Sequence, residues 1–249
     1  METQMRTDIA ARERLIVALD VDTGAQALQL VQQLGDDVCF YKVGLQLFME
    51  GGLTIVRRLI EQGKKVFLDL KIDDTPRTVQ EAVRNAAAGG VEFFTLQGNR
   101  ETARAAIAGR GAGSSPKFLQ VTYLSSWDGS DLAEHLHIEA GADKLSIDDQ
   151  VVSRARRILE SGCDGVIASG TSVSRLRREF PQLLIVTPGI RPSGSSSDDH
   201  KRSMTPYDAI TAGADYLVVG RPIRSSSDPA ATAHKVQEEI EQALRSKAA

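Results

Sequence analysis

The chain has 249 residues, 41% of them hydrophobic and 25% charged, with a formal net charge of -3. This is the balance of a globular protein able to bury a large core without disulfide or metal staples. No basic block points to nucleic acid or an anionic membrane as partner, and no apolar run approaches the roughly 20 residues of a membrane span.

The opening "METQMRTDIAARER" is polar and lacks the apolar centre of a signal peptide, so residues 1–12 read as an N-terminal extension and a cytoplasmic location is expected. The apolar runs that follow are "RLIVALD" (14–20), "VCFYKVG" (38–44), "KVFLDLK" (65–71), "VEFFTLQ" (91–97), "KFLQVTYL" (117–124), "GVIAS" (165–169), "LLIVTPG" (183–189) and "DYLVVG" (215–220). They are rich in Val, Ile, Leu and Phe with little polar alternation, as strands covered on both faces should be. Between them lie segments of helical spacing. "TGAQALQLVQQLG" ends on Gly35 at a helix stop, and "PRTVQEAVRNAAAGG" opens on Pro76 and closes on Gly89 and Gly90. "DQVVSRARRILESG" and "PAATAHKVQEEIEQALRS" read the same way.

Eight such strand–helix pairs predict an α/β fold, a single (β/α)8 TIM barrel over residues 1–249. An open doubly wound sheet is the alternative, but no GxGxxG follows the first strand. Cys39 and Cys163 stand far apart with no metal-ligand spacing and read as buried thiols in a reducing compartment. His135 and His137 are read as lying in or beside a helix without ligation, His234 as a surface helix residue, and Trp127 as a cover for the site or a packing residue.

A barrel of this kind holds its active site at the C-terminal ends of its strands. The first strand ends in Asp20, the second reaches Lys42, the third carries Asp69 and Lys71, and Asp74 follows in the loop. Strand alternation puts Asp69 and Lys71 on one face, with Leu70 on the other. Several charges gathered at one rim are too expensive to desolvate for stability alone, so they mark a functional network rather than a structural plug. "TPGIRP" (187–192) and "VVGRPI" (218–223) stand at the ends of strands seven and eight, where such barrels hold phosphate. Gly189 and Gly220 allow close backbone approach to an anion, and Arg191 and Arg221 offer forked donors. The Ser/Gly-rich stretch from 193 to 200 reads either as a lid that closes over that phosphate or as a disordered surface loop.

"VALD", "YKVG", "DLK..D.P.TV", "TPGIRP", "D..KR.MTP" and "GADYLVVGRPI", in this order along nearly the whole chain, resemble the orotidine 5'-phosphate decarboxylase family. The resemblance implies conversion of orotidine 5'-monophosphate to UMP and CO2, with no cofactor and no metal, in a homodimer with shared active sites. It implies that Asp69 faces the substrate carboxylate and Lys71 gives a proton to C6 of the pyrimidine. Asp74 would reach in from the neighbouring subunit with Thr75 and Thr78. Asp20 and Lys42 would hold the ribose hydroxyls and order the catalytic charge network, Ser125 would hold the pyrimidine edge, and Arg221 the phosphate, helped by Gly220 and Arg191. Losing CO2 from C6 leaves a carbanion with no ring to delocalise it, so the protein must supply stabilisation of order 20 kcal/mol. A cation fixed beside that carbon supplies it electrostatically, and the flanking carboxylates favour its ammonium form.

Some positions depart from the family pattern: Asp73 for a His, Thr75 for an Ile, Arg77 for an Asn, Gln97 for a His and His200 for a Gln. His200, with an unperturbed pKa of about 6.5, would favour its cation beside phosphate. Substrate affinity is then expected to weaken as pH rises through that titration; an unchanged profile in His200→Gln would rule this out. Two rival readings are a Mg2+-dependent sugar-phosphate lyase or decarboxylase of the same superfamily, using Asp73 and Asp74, and a nucleotide-binding barrel that has lost its chemistry.

Overall fold

The computed structural model describes residues 6, 8–138, 146–193 and 203–248. Eight parallel strands close into a barrel in chain order. They are β1 (Leu15–Ala18), β2 (Phe40–Gly44), β3 (Lys65–Ile72), β4 (Phe93–Leu96), β5 (Lys117–Val121), β6 (Gly165–Ile167), β7 (Leu184–Thr187) and β8 (Tyr216–Val219). β1 pairs with both β2 and β8, which closes the ring. The helices are α1 (Gly24–Leu34), α2 (Leu45–Glu61), α3 (Pro76–Ala88), α4 (Arg100–Arg110), α5 (Gly129–His135), α6 (Ile147–Glu160), α7 (Ser172–Glu179), α8 (Pro206–Ala212), α9 (Arg221–Arg224) and α10 (Pro229–Ala248).

The helix boundaries follow local chemistry. Thr23 caps α1 through a reciprocal capping box with Gln26, and Gly35 ends it at φ 56°. Pro76 opens α3, and Gly90 leaves it at φ 77°. Several strands are shorter than their apolar runs: β5 stops at Val121 and β6 spans only Gly165–Ile167. Apolar residues beyond the last paired position, such as Tyr123 and Ala168, still pack into the core. No described helix is long and apolar enough to cross a membrane.

Strand alternation sorts the core into two shells. Tyr41, Val43, Val66 and Leu68 face outward to the helices, whereas Ile16, Phe40, Phe67, Phe93 and Tyr216 fill the barrel. Phe93 sits at the centre, with its ring 5.0 Å from both Phe40 and Tyr216 and 6.0 Å from Phe67. Ile9, within the expected N-terminal extension, joins this inner shell. Two residues further along β2, β3 and β4 the inward phase changes character. Phe40 is followed by Lys42, Phe67 by Asp69 and Phe93 by Thr95, so a polar layer rests on an aromatic one.

Candidate active site

Four charged side chains meet at the C-terminal ends of β1, β2 and β3. Lys42 Nζ lies 2.8 Å from Asp20 Oδ1 and 3.5 Å from Asp69 Oδ2, and Lys71 Nζ lies 2.8 Å from Asp69 Oδ1. The row therefore alternates: carboxylate, ammonium, carboxylate, ammonium. Burial pulls the Lys42 ammonium toward neutrality, but Asp69 and Asp20 outweigh it and its pKa is raised. Burial likewise pushes Asp69 up, and the attraction of Lys42 and Lys71 outweighs it, so this carboxyl stays below the usual carboxylate range. Lys42 and Asp69 are buried, whereas the Lys71 side chain keeps 37% exposure and Asp20 41%. The inner two charges are thus fixed and the outer two face the mouth.

Lys71 does not reach this position by simple alternation, as the sequence suggested. Its φ is 52°, in the left-handed region, where β3 and β4 change register between Leu68 and Ile72. Such a conformation costs a non-glycine residue about 1–2 kcal/mol. It is held by Thr95, whose Oγ1 accepts from the Lys71 backbone N–H at 2.9 Å and donates to Asp69 Oδ1 at 3.0 Å. Thr95 was not singled out from sequence, although its inward phase two residues after Phe93 was a readable signal. Gly44 was also missed. A Cβ there would stand 2.8 Å from Lys42 Nζ and 3.0 Å from Asp20 Oδ1, so only glycine leaves room for that pair without displacement.

The other predicted residues are not part of this row. Asp74, Thr75 and Thr78 are exposed; Asp74 Oδ1 accepts from the Thr75 N–H at 2.6 Å, and the two threonine hydroxyls lie 3.0 Å apart. Asp74 forms no ion pair among the described residues. Asp73 accepts from the Thr102 hydroxyl at 3.3 Å, and a Cβ at Gly98 would collide with both. Ser125 is half-buried in the turn after β5. Gly189 has φ 76°, the Arg191 N–H donates to the Met204 carbonyl at 2.9 Å, and its guanidinium donates to the Ile190 carbonyl. Gly220 caps α9, which opens on half-buried Arg221. His200 and residues 194–200 of the Ser/Gly-rich stretch lie outside the described residues.

Beside Lys71 a small cavity of about 140 Å3 is lined by Gln97, Tyr123, Trp127, His135 and Arg154. His135, at the end of α5, packs its ring 4.9 Å from Trp127. His234, on α10, meets Asp37 at 2.9 Å near the surface. Cys163 is buried, which pushes its thiol up to about 11, while Cys39 is half-buried.

The family model described as orotidine 5'-phosphate decarboxylase / HUMPS family matches residues 13–236. The chain belongs to this family. It is 48% identical over 236 residues to the orotidine 5'-phosphate decarboxylase of Nitrobacter winogradskyi, covering 94% of this chain and 95% of the relative. The enzyme of that name from Bradyrhizobium diazoefficiens is 45% identical over 95% of this chain and 98% of its own. Among solved structures, orotidine 5'-phosphate decarboxylase from Lactobacillus acidophilus superposes with a TM-score of 0.78 at 36% identity, covering 92% of this chain and 99% of that one. The corresponding enzyme from Pyrococcus horikoshii gives 0.69 at 26% identity, over 91% and 99%. These likenesses span the whole barrel rather than a fragment of it.

Proposed function

We propose that the chain decarboxylates orotidine 5'-monophosphate to UMP and CO2, the last step of UMP synthesis, as a carboxy-lyase acting without cofactor. The observation that carries this reading is the Asp20–Lys42–Asp69–Lys71 row, buried at its two inner charges and open at its two outer ones, at the mouth of a family-matched barrel. The bond from C6 to the carboxylate breaks, CO2 departs, and the electron pair stays on C6. Lys71 stands ready as a fixed cation next to that carbon and then gives it a proton. Asp69 holds the ammonium, and Thr95 fixes Asp69 and the Lys71 backbone, before the substrate arrives, so little reorganisation is needed as charge develops. Asp69 also places a negative charge beside the carboxylate that must leave. Asp20 and Lys42 take the ribose hydroxyls and Ser125 the pyrimidine edge, while Arg221, with Gly220 and Arg191, takes the phosphate. His200 would join that phosphate contact.

The family description also covers HUMPS enzymes, which keeps the Mg2+-dependent sugar-phosphate reading in play. Asp69 disfavours it: both its oxygens already face ammonium groups, and a divalent cation would have to displace Lys42 and Lys71. The test follows the ultraviolet absorbance of orotidine 5'-monophosphate with purified protein in excess EDTA. Turnover that Lys71→Ala abolishes supports decarboxylation by this residue. Turnover of a sugar phosphate only with Mg2+ would move the chain to the other branch, and tight UMP binding without turnover would leave a binding barrel.

The exposed Asp74, Thr75 and Thr78 are consistent with service to a second copy, giving a homodimer of the cytoplasm with shared sites. Mixing inactive Lys71→Ala with inactive Asp74→Ala is then expected to restore part of the activity, because one hybrid site is intact. Absence of recovery after proven subunit exchange would refute sharing.

A further inference from the structure

On the flank of the barrel, beside the ends of β4 and β5, a cavity of about 450 Å3 lies between the start of α4 and the face of α6. That volume lies within the range of small-molecule sites. Three guanidiniums line it, from Arg100, Arg154 and Arg157. Arg100 has one carboxylate nearby, Glu160 at 3.5 Å. Arg154 and Arg157 have none within ion-pair distance among the described residues. Arg154 instead donates to the Gln97 carbonyl at 3.1 Å and lies over the Tyr123 ring, 5.3 Å from its centroid. The two arginines are three residues apart on α6 and so share one side of it. Gln120, Gln150 and Ser153 add neutral hydrogen-bonding groups to the wall. Gln120 is itself only 5% exposed. A concave site with surplus positive charge concentrates anions, and forked guanidiniums match phosphate oxygens.

We propose that this flank cavity binds an organic phosphate of nucleotide size, and that its occupancy is felt at Lys71 through Arg154. Arg154 and Tyr123 line both this cavity and the smaller one that contains Lys71. A phosphate gripped by Arg154 competes with the Gln97 carbonyl and the Tyr123 ring for the same guanidinium. Binding therefore rearranges the wall beside Lys71, which is the differential contact that coupling between sites requires. The coupling to turnover rests on the decarboxylase reading; the binding does not.

Inorganic pyrophosphate is the probe, followed by calorimetry in an Arg221→Ala background that removes the phosphate grip at the barrel mouth. Saturable binding is expected there. Adding Arg157→Ala is expected to weaken it about tenfold or more, and Arg157→Lys to restore part of the affinity. No binding in Arg221→Ala, or binding indifferent to Arg157→Ala, overturns the proposal. So does an Arg157→Ala change confined to the assembly state by sedimentation, which would make the cavity a contact between copies. In otherwise wild-type protein, Arg157→Ala alone is expected to leave basal turnover unchanged while blunting the response of kcat to pyrophosphate; an equal response in both overturns the coupling. A chain that turned over no orotidine 5'-monophosphate would fail the decarboxylase reading, with calorimetry still deciding the binding.

Discussion

At the N-terminal end of the barrel, Arg177 and Asp215 form an ion pair of 2.5 Å with side chains 0% and 2% exposed; at the C-terminal end, Lys71 and Asp69 pair at 2.8 Å with 37% and 10%. The two pairs are similar in length and opposite in purpose. Arg177 donates three further bonds to the carbonyls of Gly213, Pro181 and Leu183, and Asp215 accepts from the Ile185 N–H. Arg14 adds a bond to the Asp215 carbonyl. Nothing there points toward solvent, so the cluster ties α7, β7 and β8 together. At the other end the ammonium of Lys71 is held from one side only, by Asp69, and turns its other donors to the mouth. A buried charge satisfied on all sides is a fastener; one satisfied on one side is a reagent.

Four changes break or sharpen that contrast. Lys71→Ala is expected to have the largest effect, lowering kcat/KM by about a thousandfold or more while leaving the melting temperature near wild type. A variant that melts early would make the mouth structural after all. Arg177→Met should do the reverse. It leaves Asp215 buried and unpaired, so chemical denaturation should show a loss of about 3–5 kcal/mol with kcat little changed in the protein that remains folded. Thr95→Val removes the hydroxyl that pins both Asp69 and Lys71. Loss of one such preorganising group should lower kcat roughly tenfold, with unfolding shifted by about 1–2 kcal/mol; a drop in stability without a drop in kcat would deny it a positioning role.

The smallest effect concerns pH. The folded-state pKa of Asp69 lies below its ordinary value, so its stabilisation is present above the unfolded carboxylate pKa and is lost as pH falls through the folded one. Asp69→Asn should therefore melt lower than wild type at neutral pH, and the gap should close below about pH 4. A gap that is constant with pH would mean that the charge of Asp69 does not stabilise the fold.

Much of this could be read before the fold was known. The apolar runs and their glycine and proline boundaries encode a local code, alternation and helix capping, which depends on neighbours only a few residues away. That is why α1 and α3 start and stop where the pattern puts them, why each of the eight strands overlaps its apolar run, and why Asp20, Lys42 and Asp69 could be assigned to one rim. The resemblance supplied roles for those residues. It did not reveal Thr95 or Gly44, because their value lies in what stands across from them, a strand away. Nor did alternation give the left-handed turn at Lys71, which arises where two strands change register. The sequence by itself determined the barrel, the rim at which the charges gather, and the identities of those charges, since these follow from periodicity and composition. Only the tertiary structure decided which charges are closed off and which stay open, at which glycine a Cβ would crowd the Lys42 ammonium, and which three arginines meet beside one cavity. Those are facts of distance between residues far apart in the chain, and distance is created only when the chain closes on itself.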